Sequence, residues 1–283
     1  MVKKFFIILF FLLGLGFGFD AQAFSISPLK YSATIAPGES KDWSVKIKND
    51  SDQGAVFSPV VLGEKQDNLG RAVFDKDVDI AEKWFQDSLD SITLAAGESK
   101  TAQFNISVPL NTPPGAHYLG LAVRQKSGQS LSAQLVTTLN LQVAGIANES
   151  LLFEKFFLTK KIFFDKNWLG QLQIRNIGNV SLDLVGHEDL FYFGKKISGN
   201  YLALGNSLFA QSDRLANLNL FVGDKLMLPG FYQAEIKIIY GLTHQTAQSN
   251  AGFWYLPWWS LVVLILIVFL ILFLLKKNKN ATV

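Results

Sequence analysis

VPLNTPPGAHYLGLAV, residues 108–123, passes from an apolar strand end through Pro113, Pro114 and Gly115 to an aromatic. A run of alternating apolar residues follows, Leu119, Leu121 and Val123. A second stretch, LMLPGFYQAEIKI at 226–238, repeats the design through Pro229 and Gly230 to Tyr232, Ala234, Ile236 and Ile238. Proline fixes φ and removes a donor, and glycine permits a turn that other residues resist, so each Pro-Gly pair marks a corner from which a strand departs. A corner found once in each half of the chain predicts one fold used twice. Aligned on Tyr118 and Tyr232, the two stretches put Phe231 where the first has His117, which reads His117 as packing and not as chemistry.

Outward from these corners, short period-two runs recur from Phe24 to Ala251 with no sustained helical periodicity. DWSVKIKN puts Trp43, Val45 and Ile47 on one face, AQFNISV puts Phe104, Ile106 and Val108 there, LNLQV has Leu139, Leu141 and Val143, and GQLQIRN has Leu172 and Ile174. Alternation of this kind buries one face of each strand, as in antiparallel sheets, and many short strands between turn signals predict a sandwich or barrel. TIAPGESKDWSVKIKN at 34–49 also echoes TLAAGESKTAQFNISV at 93–108, each a glycine turn leading into a strand. A phosphate-cradling loop needs a helix after its glycine, and a strand follows both of these.

The ends are different. Residues 1–23, MVKKFFIILFFLLGLGFGFDAQA, have two lysines, an apolar run and Ala21-Gln22-Ala23, the three parts of a secretory signal with its cleavage site. Near the other end an apolar run from Leu261 to Leu275, extended by Trp258 and Trp259, reaches the roughly 18 residues that cross a bilayer core. Trp254, Tyr255, Trp258 and Trp259 flank it as interface anchors, and Lys276, Lys277 and Lys279 follow it. The positive-inside rule then puts 276–283 in the cytoplasm as a basic tail and about 24–252 outside.

The expected organisation is a signal peptide at 1–23, immunoglobulin-like β-sandwich domains at 24–145 and 150–248, a transmembrane helix at 254–275 and the tail at 276–283. The domains part in the polar break AGIANES, and GLTHQTAQSNAG at 241–252 reads as a polar stalk lifting the second domain off the membrane. The fold class is therefore an all-β ectodomain of two sandwiches followed by one transmembrane helix.

The chain contains no cysteine, which removes disulfides, thiolate catalysis and thiolate metal ligation together. A formal net charge of +3 is too small to imply nucleic acid. Asp75, Asp77 and Asp79 begin like a calcium-binding EF-hand loop, but Ile80 stands where the loop needs glycine and Gln86 where it needs glutamate, so a solvated acidic loop is the expectation. His117, His187 and His244 have no ligand-spaced partner, and the ectodomain has no Gly-x-Ser-x-Gly elbow. No catalytic, metal or cofactor-binding residue is assigned, and the ligand-contacting residues are unknown. Trp84 and Phe85 could stack on a sugar if exposed, but read as core. Asn49, Asn105, Asn148 and Asn179 each open an Asn-x-Ser triplet, meaningful only in a host that glycosylates secreted proteins.

In the order of these features the chain resembles the WxL-interacting protein family of bacterial cell surfaces. The residues that carry the resemblance are FSISPLKYSATIAPGESKDWSVKIKNDS (24–51), WFQDSLDSITLAAGESKTAQFNISVPLNTPPGAHYLGLAV (84–123) and IRNIGNVSLDL (174–184). It implies an N-terminal immunoglobulin-like domain that binds peptidoglycan, a second such domain assigned to host binding, and a C-terminal span with a basic tail. The expected function is that of a non-enzymatic, single-pass type I surface protein. It would bind a cell-wall polymer or another surface protein, and the bilayer through its helix. The alternative is a scaffold or chaperone-like assembly factor for exported surface or pilus-type proteins, since pilus chaperones share the Pro-Gly turn and short alternating strands.

Overall fold

The computed structural model describes residues 24–85, 90–127, 130–220 and 227–280. The signal-peptide expectation at 1–23, Gln86 and the last three residues of the tail lie outside them. The first part of the chain forms strands β1 (Phe24–Ser27), β2 (Lys30–Ile35), β3 (Ser40–Asn49), β4 (Ala55–Gln66), β5 (Ala72–Asp75), β6 (Ile92–Leu94), β7 (Ser99–Ser107), β8 (Gly115–Ser127) and β9 (Ser130–Val143). A short 3₁₀ turn, Ile80–Trp84, stands between β5 and β6. Strands β10 (Leu151–Leu158), β11 (Ile162–Phe163), β12 (Trp168–Asn176), β13 (Leu184–Tyr192), β14 (Lys195–Leu202), β15 (Asp213–Leu220), β16 (Gly230–Tyr240) and β17 (Gln245–Tyr255) follow, then helix α1 (Trp258–Asn280). Two compact units result: one of residues up to 64, 74–113 and 117–144, the other of 65–73, 114–116 and 145 onward.

Each unit is a sandwich of two sheets built on the same plan. In the first, β1-β3-β7 faces a larger sheet of order β2-β9-β8-β4-β5, with β6 beside β4. In the second, β10-β12-β15 faces β11-β17-β16-β13-β14. The opening strand is broken in both: β1 pairs antiparallel with β3, and after Pro28 and Leu29 the chain crosses to pair as β2, parallel, with β9. Likewise β10 pairs antiparallel with β12, and β11 crosses to lie parallel to β17. This sheet-switching first strand, present twice, establishes two immunoglobulin-like sandwiches more firmly than the local Pro-Gly echo does.

The inward phases are those that the alternation predicts. Trp43, Val45, Ile47, Phe104, Ile106 and Val108 meet Leu119, Leu121, Val123, Leu139, Leu141 and Val143 in one buried core. In the second unit Leu172, Ile174 and Leu218 meet Ile236, Ile238 and Tyr240, and below them Trp168 packs among Tyr232, Phe253 and Tyr255. The two glycine turns hold Gly38 at φ +83° and Gly97 at φ +72°, and Glu39 and Glu98 return their carboxylates to the amides of Ala36 and Ala95. Those amides are therefore taken, which leaves no anion cradle there.

Three expectations are corrected. The stretch 241–252 is not a stalk: β17 runs from Gln245 to Tyr255 and pairs with β16 along its whole length. Strand pairing uses backbone groups, so a polar sequence is no bar to it. The helix consequently begins at Trp258 and not at 254, and Tyr255 is a core residue at 4% exposure rather than an interface anchor. The alignment of the two corners also shifts by one residue. In β16 the inward phase is Gly230, Tyr232 and Ala234, whereas in β8 it is Leu119 and Leu121, so His117 and not Tyr118 holds the position of Tyr232. Tyr118 is buried on the opposite face of its strand.

Candidate functional site

The acidic array folds into a cap. Asp79 is the N-cap of the 3₁₀ turn, its carboxylate accepting from the Ala81 amide, and Glu82 accepts from the amides of Asp77, Val78 and Asp79. A Cβ on Gly63 would sit 2.8 Å from the Asp79 amide nitrogen, so β4 carries glycine where this turn presses on it. Asp75 accepts from the amide of Lys76. Carboxylates occupied by their own loop are poor cation ligands, and among the described residues no group of three or more His, Asp or Glu is arranged to hold a metal ion.

His117 does have a partner, one that linear spacing conceals. Its Nδ1 lies 2.7 Å from Oδ1 of Asp79, thirty-eight residues away, and its ring meets Trp84 edge-on at 4.6 Å. Trp84 is core at 3% exposure, and Phe85 packs against Phe104 at 6.4 Å. The sister position in the second unit, Tyr232, also makes a polar tie, its hydroxyl donating to the Leu228 carbonyl at 2.7 Å. Both corners thus seat an aromatic with one polar tether; His117 clamps the 3₁₀ turn to β8. His187 lies against Tyr201 with the rings tilted at 47° and 4.8 Å apart, and His244 sits in the β16–β17 turn with φ +53°, so the three histidines are in different places.

Two buried asparagines were not singled out by sequence reasoning, beyond the Asn-x-Ser triplet at Asn49. Asn49 closes β3 and Asn176 closes β12, both with no exposure. Asn49 donates to the carbonyls of Gln53, Leu94 and Ala95 and accepts from the Ser51 amide. Asn176 repeats the pattern, donating to Val180 and Leu208 and accepting from Gly178. The available signal was an asparagine on the inward phase of an apolar strand. Asn49 is therefore a structural clamp. Asn105 bonds Asp42, and Asn179 bonds the Pro114 and Ile146 carbonyls and the Asn148 amide.

Glu64 is 8% exposed, and its Oε2 has no hydrogen-bond partner among the described residues. Burial pushes its carboxyl up to about 7, with the attraction of Lys30 only partly opposing that. A raised acid pKa means that the folded chain holds its proton longer than the unfolded chain does. Stability is therefore full below about pH 4.5 and falls, by at most about 3 kcal/mol, as pH rises through about 7. Glu64→Gln is expected to remove that loss: on going from pH 4 to pH 8 the variant's denaturant midpoint should rise relative to the parent's, and an unchanged difference between the two proteins would count against this assignment.

The feature best suited to binding is an open strand edge. β2 covers β9 only over Thr138–Val143, and the Pro28 and Leu29 carbonyls tie down the Thr137 hydroxyl and the Thr138 amide. Upstream, among the described residues, β9 has β8 on one side and no strand on the other. Because the Thr138 amide points to the β2 side, alternation turns the N–H and C=O of Val136 and Gln134 the same way. Leu135 at 36% and Leu29 at 66% exposure add apolar surface at this edge.

No protein-family model matches the chain, and no curated protein matches it. Among solved structures it is similar to a chain from a chaperone–tip adhesin complex of CFA/I fimbriae, with a TM-score of 0.46 and 12% identity over 83% of this chain and 99% of that one. It is also similar to the class 5 fimbriae chaperone CfaA, with a TM-score of 0.43 and 13% identity over 83% of this chain and 100% of that one. A third is from the CsuC–CsuE chaperone–tip subunit complex of Acinetobacter baumannii, with a TM-score of 0.40 and 14% identity over 81% and 98%. At these values the functional reading comes from this chain's own residues.

Proposed function

We propose that the protein is a non-enzymatic, membrane-anchored assembly factor for exported proteins, which holds an extended client segment by strand addition to the open half of β9. The observation that carries this reading is that, among the described residues, no strand lies beside β9 on the open side at Gln134 and Val136, while the other half of the same strand is covered by β2. Main-chain hydrogen bonds supply affinity in such binding, and side chains such as Leu135 supply selectivity. An open edge is an aggregation hazard, which makes a persistent one a candidate docking line. The apolar helix after β17 supports anchoring in a membrane, and anchoring raises the local concentration of a weakly held client; the lysines that follow the helix favour, by the positive-inside rule, an orientation with the two units outside. Peptidoglycan binding, the role implied by the resemblance to the WxL-interacting family, loses its sugar-stacking candidates, because Trp84 is core and Phe85 is packed on Phe104.

The test exploits the direction of the amides. Gln134→Pro deletes an N–H that faces the open side and spares the β8–β9 ladder, a position where proline is tolerated in a strand; Gln134→Ala keeps that N–H. With a photo-crosslinker at Leu135 in the full chain in its native membrane, an adduct to an exported protein is expected. It should persist in Gln134→Ala and fall at least fivefold in Gln134→Pro. An adduct no stronger than that from Leu242, or one indifferent to the proline, rejects strand addition. Sedimentation of the full chain with purified sacculi would favour the wall-binding role instead.

A further inference from the structure

We propose that the end of the second unit from which α1 emerges is itself a membrane-seating surface, with Ile162, Phe164, Phe193 and Trp254 entering the headgroup layer of the bilayer. The proposal rests on reading α1 as the span. It starts from the missing stalk: β17 stays paired down to Tyr255, whose partner is Gly230, and only Leu256 and Pro257 separate it from the helix. The link is pinned as well. The Leu256 amide donates to the Phe163 carbonyl, the Trp254 amide to the Lys161 carbonyl, and the Ser260 amide to the Pro257 carbonyl. Three Cα steps span at most about 11 Å, so with Trp258 at the hydrocarbon edge the sheet end lies within, or only a few Å beyond, a headgroup layer roughly 5–7 Å deep.

What that end exposes fits such a place. β11 sets Ile162 beside Trp254, whose indole meets Phe231 at 5.7 Å. The β13–β14 turn brings Phe193 over Gly230, where its ring lies 2.7 Å from the site of a Cβ. Ile162 is 44% exposed, Phe164 57%, Phe193 64% and Trp254 46%, so four large apolar side chains from three separate chain segments stand open at one end of one sheet. Lys160, Lys161 and Lys195 are exposed in the same segments, where among the described residues Asp165 is the acid. Aromatic residues with a lysine fringe match the bilayer interface, where rings lie at headgroup level and ammonium groups reach phosphates. Continuity with the helix selects the bilayer over other occupants of this surface.

The absence of cysteine makes every introduced thiol unique. Full-length Ile162→Cys, Phe193→Cys, Leu242→Cys and Val268→Cys variants, labelled with bimane, would be placed in nanodiscs of mixed anionic and zwitterionic lipid brominated near the top of the acyl chain. Quenching at positions 162 and 193 is expected to exceed that at 242 several-fold, with strong quenching at 268 inside the helix. If 268 is quenched while 162 and 193 behave like 242, the seating surface is rejected and the span survives. If 268 is not quenched, the span fails and the proposal with it. Labels at 162 and 193 that are shielded from aqueous iodide yet untouched by brominated lipid would indicate a protein partner, and would also overturn it.

Discussion

Trp168→Ala is expected to lower the stability of the second unit by about 4–5 kcal/mol, the upper range for a large aromatic lost from a core. Trp168 has no exposure, and its ring lies 5.2 Å from Tyr232, 4.9 Å from Phe253 and 5.3 Å from Tyr255. Removing it opens a void bounded by both sheets and orphans the Asp165 carbonyl, to which Nε1 donates at 2.8 Å. Domains are stable by only about 5–15 kcal/mol, so a large share of the unit's margin goes at once. Trp168→Phe keeps most of the ring and should cost about half as much. Trp43 provides the contrast: equally central at 4% exposure, its Nε1 has no hydrogen-bond partner among the described residues, so Trp43→Phe loses packing alone. Denaturant titration of the full chain, with hydrogen exchange resolving the units, checks the order; equal losses for the two Trp→Phe variants would contradict it.

The second large effect is at Asn49. Truncation to alanine strands the Leu94 and Ala95 carbonyls and the Ser51 amide together, and a loss of about 4 kcal/mol is expected from several unmet groups at 1–3 kcal/mol each. Asn49→Asp should be no milder, because a carboxylate cannot donate to carbonyls and brings a charge into a buried site. Expression in a glycosylating host gives an independent check, since no glycan is expected on a side chain without exposure. Appreciable occupancy at Asn49, or an alanine variant that unfolds like the parent, would show that the clamp is dispensable.

What was legible in the sequence follows from how locally each feature is encoded. Alternation reports a strand and its inward face because burial on one side is written at every second residue, and Trp43, Val45 and Ile47 needed nothing more. β17 reads as a stalk because its first eight positions are polar or small, and in the fold all eight are exposed or half-buried; its place comes from backbone pairing with β16, to which composition is blind. The His117–Asp79 contact joins residues from different elements, and only the path of the chain sets that distance. The one-residue error at the corner has the same origin. Aligning Tyr118 with Tyr232 matched identities, whereas the pleat counts positions from the turn, and a slip of one exchanges the faces.

The amino-acid sequence by itself determined that the chain is all-β over most of its length, that similar corners occur twice, and that an apolar helix closes it without disulfides. These are matters of periodicity, composition and the backbone preferences of proline and glycine, all local. The tertiary structure alone decided which edges stay open, which polar side chains close the strand ends, and that the second sandwich meets its helix without a spacer. Those depend on pairing between segments far apart in the chain. A backbone edge looks the same in sequence whether a strand covers it, as β2 does over Thr138–Val143, or whether no strand among the described residues lies beside it, as at Gln134 and Val136.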